Sequence, residues 1–94
     1  GLLARATELG DHLASAVLAL NHPRIVTVRG RGLLRGIVLA DPIAPAVADR
    51  ALAAGFVINA PRPAVLRIAP PLVVEEGQLD SFVARLPAFL EGAA

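Results

Sequence analysis

Cysteine, methionine, tryptophan, tyrosine and lysine are all absent from this chain of 94 residues. Without cysteine the chain can form neither a disulfide nor a thiolate metal site. With only three phenylalanines, the hydrophobic core must consist mainly of leucine, valine, isoleucine and alanine, and these raise the hydrophobic fraction to 55%. The length suits one small domain covering residues 1–94.

A strong excess of charge is also missing. Nine arginines against eight acidic residues leave a formal net charge of +1, although the calculated isoelectric point is 9.3. This surplus is too small for a nucleic-acid-binding protein, and no apolar run is long enough to span a membrane. Because the chain starts at Gly1 without methionine and is rich in apolar residues, we expect a segment of a longer protein that packs against a neighbouring domain.

The first half of the chain predicts one helix followed by two strands. Apolar residues recur at helical spacing over residues 2–20, and the sequence Asn21-His22-Pro23 ends this pattern. Extended apolar runs follow at residues 25–28 and 33–39, and glycines 30 and 32 form a turn between them. We expect these two strands to pair as a hairpin.

The second half predicts a helix, two strands and a final helix. Asp41 before Pro42 predicts a capped helix start, and Gly55 predicts its end after Ala54. Strands are expected at residues 56–59 and 65–68, separated by a rigid loop at residues 60–63. The last helix is expected to begin near Glu75 and Glu76, to bury Leu79, Phe82, Val83, Leu86 and Phe89, and to kink at Pro87. The order α-β-β-α-β-β-α predicts an α+β fold, a small antiparallel sheet with helices packed on one face.

Arg67 is the strongest candidate for a binding residue. It lies in the apolar segment Leu66-Arg67-Ile68-Ala69, which Pro70 and Pro71 then end. A guanidinium cannot lose its charge when buried, and its planar fork matches a carboxylate in two parallel hydrogen bonds. The sequence therefore predicts a carboxylate partner for Arg67. The alternative is an edge strand from which Arg67 extends into water.

Other residues give weaker indications of a binding site. The spacing of glycines 30, 32 and 36 does not match a dinucleotide-binding loop, which favours a structural turn. Four arginines cluster around that turn, but no aromatic residue accompanies them to stack nucleobases, so we expect them to be solvated or paired with acids of a neighbouring domain. They are Arg24, Arg29, Arg31 and Arg35.

No catalytic or metal-binding group emerges from the remaining polar residues. His12 and His22 have no second ligand or nucleophile at a suitable spacing, and we expect capping and surface roles for them. Ser15 and Ser81 lie in predicted helices without a nearby base. Asn59 ends a predicted strand, where its amide is expected to bond to the local backbone in a turn.

Three segments taken in order resemble the class III pyridoxal-phosphate-dependent aminotransferases. They are residues 28–37 (VRGRGLLRGI), 54–59 (AGFVIN) and 65–72 (VLRIAPPL). The resemblance covers nearly the whole chain and is to the C-terminal small domain of these fold-type I enzymes. It is closest to members that transfer an amino group from N-acetylornithine to 2-oxoglutarate in arginine biosynthesis. Members that use ornithine or 4-aminobutyrate contain closely similar segments and are the alternative within the family.

The resemblance implies a role for Arg67 and a missing large domain. Arg67 matches the family arginine that binds the α-carboxylate of glutamate or 2-oxoglutarate, and a glutamate of the large domain can pair with it when the other amino donor is bound. The family chemistry needs a lysine to hold pyridoxal 5'-phosphate, and this chain has none. The cofactor is therefore expected to bind to residues outside this segment, which alone should be inactive.

The resemblance further implies a cytoplasmic homodimer in which this segment packs against its own large domain. Asn59 and glycines 30, 32 and 36 match family positions, to which we assign only structural roles. A different class of function stays open at this point. The chain could be a stand-alone α+β module that binds a small acidic ligand or a partner protein.

Overall fold

The computed structural model describes residues 2–31, 34–68 and 76–93 of the chain. Within these residues it contains three helices and one four-stranded antiparallel sheet, in the predicted order α-β-β-α-β-β-α. The elements are α1 (Leu2–Ala19), β1 (Ile25–Arg31), β2 (Leu34–Leu39), α2 (Ala44–Ala53), β3 (Ile58–Arg62), β4 (Val65–Ile68) and α3 (Glu76–Gly92). The predicted α+β fold is confirmed.

The sheet has the strand order β1-β2-β4-β3, so β2 and β4 are its interior strands. All neighbouring strands are antiparallel. The alternative in which Arg67 lies on an edge strand is therefore wrong, because β4 is hydrogen-bonded to β2 on one side and to β3 on the other. Successive side chains of a strand point to opposite faces, and the two faces of this sheet differ sharply in burial.

One face of the sheet forms the core together with the three helices. The buried strand residues are Ile37, Leu39, Ile58, Leu66 and Ile68. The helices contribute Leu9, Leu13 and Val17 from α1, Val47 and Ala51 from α2, and Leu79, Phe82, Val83, Leu86, Phe89 and Leu90 from α3. The buried stripe predicted for the last helix is thus confirmed, and leucine, isoleucine, valine and alanine fill most of this core.

The start of α2 differs from the prediction. The helix begins at Ala44 after Ile43, which supplies no side-chain cap, and a proline occupies the first helical turn. That proline is Pro45, whereas Asp41 and Pro42 form a turn before the helix in which the Ile43 N–H donates to the Asp41 carbonyl at 2.8 Å. The sequence offers two prolines, and the later one occupies the helix start, where a missing N–H costs nothing.

The end of α2 is as predicted. Gly55 has φ +95°, and its N–H donates to the Leu52 carbonyl at 2.9 Å, while the Phe56 N–H donates to the Ala51 carbonyl at 2.8 Å. These two bonds form a Schellman motif. Phe56 does not start a strand as expected, because its N–H belongs to this motif. Its ring packs edge-on against Phe82 and Phe89 at centroid distances of 5.7 and 6.3 Å.

The third strand is displaced toward the C-terminus of its predicted position. It runs from Ile58 to Arg62, so most of the expected loop at residues 60–63 belongs to the strand. The register shifts between Asn59 and Arg62, and β3 is an edge strand, which together accommodate Pro61. Gly32, Pro70, Pro71 and Glu75 lie outside the described residues. Helix α3 continues past Pro87, and a kink there stays a prediction.

Candidate functional site

The face of the sheet opposite the helices is open, and Arg67 lies near its middle. Each strand places one residue in a row across this face: Arg29 pairs with Gly36, Gly36 with Arg67, and Arg67 with Asn59. We call these four residues the central row. Paired residues of antiparallel strands have their side chains on the same face. Sheet pairing therefore brings together residues that are far apart in the sequence.

Arg67 is exposed, although Leu66 and Ile68 on either side of it are buried. No hydrogen bond or ion pair joins its side chain to any other residue that the structure describes. As far as these residues show, the guanidinium is therefore solvated, whereas the apolar sequence around it predicted a desolvated one. Its backbone is nevertheless held on one side by β2 and on the other by β3, so a ligand or a second domain that covers this face would meet a well-placed cation.

The neighbouring row adds one further positive charge and no acid. Thr27 pairs with Val38, Val38 with Val65, and Val65 with Arg62. Over the two rows, the described side chains include Arg29, Arg62 and Arg67 but no aspartate or glutamate. Like charges on one face raise the local concentration of anions. The described residues enclose no pocket, so an anion at Arg67 would lie on an open surface that needs a second wall.

Two arginines of the predicted cluster have partners within this chain. Arg24 donates from Nη1 to the carbonyls of Leu90 and Ala93 at 3.1 and 2.7 Å, and Arg35 donates from Nη2 to Asp11 Oδ1 at 2.8 Å. The prediction that these arginines are solvated or pair with another domain is therefore wrong for both. Their acceptors lie at the C-terminal end of α3 and on the side of α1. Arg29 is on the open face and stays exposed.

The histidines have structural contacts. His12 Nε2 lies 2.6 Å from Asp80 Oδ1, which connects α1 to α3, a pairing that sequence spacing did not indicate. His22 Nδ1 accepts the N–H of Arg24 at 3.1 Å in the turn before β1. Ser15 and Ser81 are exposed on their helices. The described residues contain no group of three or more metal-ligating side chains.

Asn59 and Gly36 have positions that the sequence did not predict. Asn59 lies inside β3 beside Arg67 and does not form the expected turn. Gly36 lies between the two arginines of the central row. No local pattern could have identified this arrangement, because it depends on pairing of β2 with β4, whose residues are about thirty positions apart in the sequence.

Comparisons with known proteins identify the family of this chain. A sequence model of the class-III aminotransferases matches residues 1–90. Acetylornithine aminotransferase of Mycolicibacterium smegmatis is 50% identical to the chain over 93 residues, which is 99% of this chain and 24% of that protein. The chain thus spans about a quarter of the length of such curated relatives.

Solved structures of aminotransferases have this fold. A crystal structure of acetylornithine aminotransferase from Elizabethkingia anophelis matches with a TM-score of 0.78 at 32% identity, over 93% of this chain and 24% of that one. An omega transaminase from Pseudomonas jessenii, in complex with PMP, matches with a TM-score of 0.79 at 25% identity, over 96% and 22%. The chain belongs to the class-III aminotransferase family.

The cofactor of this family does not fit the residues present here. Pyridoxal 5'-phosphate is held in such enzymes as a Schiff base on a lysine, and this chain has no lysine. The described part of the open face offers arginines but no enclosed pocket for a ring. No chemical step is therefore assigned to a cofactor held by this chain. Among the described helices, none is both long and apolar enough to cross a membrane.

Proposed function

We propose that residues 1–94 are the C-terminal small domain of an acetylornithine aminotransferase. The complete enzyme would transfer an amino group from N-acetylornithine to 2-oxoglutarate in arginine biosynthesis. The observation that carries the proposal is Arg67, an exposed cation on an interior strand without a partner among the described residues, in a chain that is 50% identical to a relative of that name. We also propose a cytoplasmic homodimer, as the family resemblance implies.

In this proposal Arg67 binds the α-carboxylate of glutamate or 2-oxoglutarate. The guanidinium can donate two parallel hydrogen bonds to a carboxylate, and β4 fixes the position from which it does so. Arg29 and Arg62 add positive charge on the same face. Within the part of the chain that is described, no carboxylate forms an ion pair with this cation, since every described acid lies on a helix or in the turn before α2.

The second wall of the site and the cofactor belong to the large domain in this proposal. When bound, pyridoxal phosphate supplies the electron sink that lets an amino group leave one carbon skeleton and join another. The present chain orients the substrate carboxylate and covers one side of the cleft. Because it lacks the Schiff-base lysine, we expect no transamination by these residues alone.

The test is Arg67→Ala in the full-length enzyme. Two charge-assisted hydrogen bonds contribute about 3 kcal/mol, so kcat/KM for 2-oxoglutarate should fall roughly a hundredfold. Arg62→Ala is the matched control, because it removes the same charge from the same face at the end of β3, opposite Val65, and should change kcat/KM by less than about threefold. Equal kinetics of the wild type and Arg67→Ala would refute the proposal.

The amino donor is tested separately. Ornithine and 4-aminobutyrate are the alternative donors, since enzymes that use them contain similar segments. Initial rates of the wild-type enzyme with 2-oxoglutarate and each of the three donors should favour N-acetylornithine. A higher kcat/KM for ornithine or 4-aminobutyrate would keep the family and change the specific reaction.

A further inference from the structure

Gly36 is a glycine that the described fold does not require. It lies inside β2, an interior strand, where glycine contributes no side-chain packing and costs roughly 0.5–1 kcal/mol relative to alanine. Its φ is not in the left-handed region, unlike that of Gly55. The backbone conformation therefore gives no reason for glycine at this position.

Crowding by the described residues does not require glycine at position 36 either. A Cβ built on Gly36 would lie 3.5 Å from Val65 Cγ1 and 3.8 Å from the Leu66 carbonyl oxygen, and no further described atom lies within 4 Å. Both distances are ordinary van der Waals contacts. By contrast, a Cβ on Gly92 would overlap the Arg50 guanidinium. Alanine would thus fit at position 36 without displacing any described atom.

The position at which Gly36 lacks a side chain lies directly beside Arg67. Gly36 is the cross-strand partner of Arg67 and of Arg29, so its Cβ would project from the open face between the two arginines. Neighbouring strands are about 4.8 Å apart, and bare backbone therefore separates two cations whose Cα atoms lie roughly 10 Å from each other. A glycine inside a strand often marks a place where a ligand approaches the backbone closely.

We propose that Gly36 is a specificity-determining residue for the carboxylate that Arg67 binds. This inference rests on the proposed function. The missing side chain leaves room above β2 for the carboxylate and the first carbons of an amino or oxo acid held side-on by the guanidinium. A side chain at position 36 would occupy that room and move the carboxylate away from the two parallel hydrogen bonds.

The experiment enlarges position 36 in the full-length enzyme and measures kcat and KM for 2-oxoglutarate at a saturating amino donor. Gly36→Val should raise KM by on the order of tenfold or more, since one added carbon in a substrate pocket already has an effect of about that size and valine adds three. Gly36→Ala should raise it by less, and the melting temperature should stay equal or rise. Val38→Ile is the control, because it adds a carbon on the same face of the same strand, and KM should change by less than about twofold.

A double-mutant cycle separates a role at the carboxylate from a general effect on the sheet. In an Arg67→Ala background, Gly36→Val should no longer raise KM, because the oriented carboxylate is already lost. If Gly36→Val is less stable than the wild type, Gly36→Ala carries the test, since its Cβ makes only ordinary contacts. An unchanged KM in both variants, with Arg67→Ala still impaired, would overturn this inference and leave the proposed function standing. An unimpaired Arg67→Ala would refute the proposed function itself.

Discussion

Arg24 connects three parts of the fold that are distant in the sequence. It lies just before β1, and its Nη1 donates to the carbonyls of Leu90 and Ala93 at 3.1 and 2.7 Å, where α3 ends. Its Nε lies 3.8 Å from Asp41 Oδ2, in the turn after β2. The last carbonyls of a helix have no partner within the helix, and a cation at that end also interacts favourably with the helix dipole.

The expected cost of Arg24→Ala follows from these contacts. A hydrogen bond from a charged group contributes about 1.5–3 kcal/mol, but here both bonds leave from one nitrogen and the side chain is 33% exposed, so water can replace part of the loss. The contact with Asp41 adds little, because that carboxylate is half exposed. We expect the opening free energy of the last turn of α3 to fall by about 2 kcal/mol.

Hydrogen exchange in the full-length protein measures this change locally. A loss of about 2 kcal/mol should speed exchange of the amides of residues 88–92 roughly thirtyfold. Arg5→Ala is the matched control, because among the described residues Arg5 forms only an exposed pair with Glu8 at 3.7 Å on α1, and it should change exchange by about twofold or less. If Arg24→Ala exchanged no faster than Arg5→Ala, the claim that Arg24 anchors α3 would be refuted.

Replacing glycine with alanine at positions 55 and 92 should have opposite effects on hydrogen exchange. Gly55→Ala places a Cβ on a residue with φ +95° and should destabilise the end of α2 by about 1–2 kcal/mol. The amides of residues 52–56 should then exchange faster, and unchanged exchange would contradict this prediction. Gly92→Ala lies in α3, where alanine favours the helix by up to about 1 kcal/mol, and only the flexible Arg50 guanidinium has to move. Its exchange should be equal or slower, and faster exchange would show that the Arg50 position is fixed.

Predictions that depended on local chemistry were mostly correct. Gly55 ends α2 as expected, because only a residue without a Cβ adopts positive φ at little cost. The apolar stripe of α3 is buried as expected, because helical spacing places its members on one side. Two element starts were predicted wrongly. Helix α2 starts at Ala44 with Pro45 in its first turn, and not at Asp41 and Pro42. Strand β3 starts at Ile58, and not at Phe56. In the second case the Phe56 N–H completes the end of α2, and its ring packs against Phe82, which is far away in the chain.

The sequence by itself determined the order and type of the elements and singled out Arg67, because periodicity, glycine geometry and the chemistry of a guanidinium are properties of a few adjacent residues. Only the tertiary structure decided that β4 lies between β2 and β3, which puts Arg67 in one row with Arg29, Gly36 and Asn59. It also decided that Arg24 and Arg35 bind partners within this chain, whereas the Arg67 side chain binds no other residue that the structure describes. Strand order and register depend on contacts between distant segments and on which face is buried, and no local pattern contains that information.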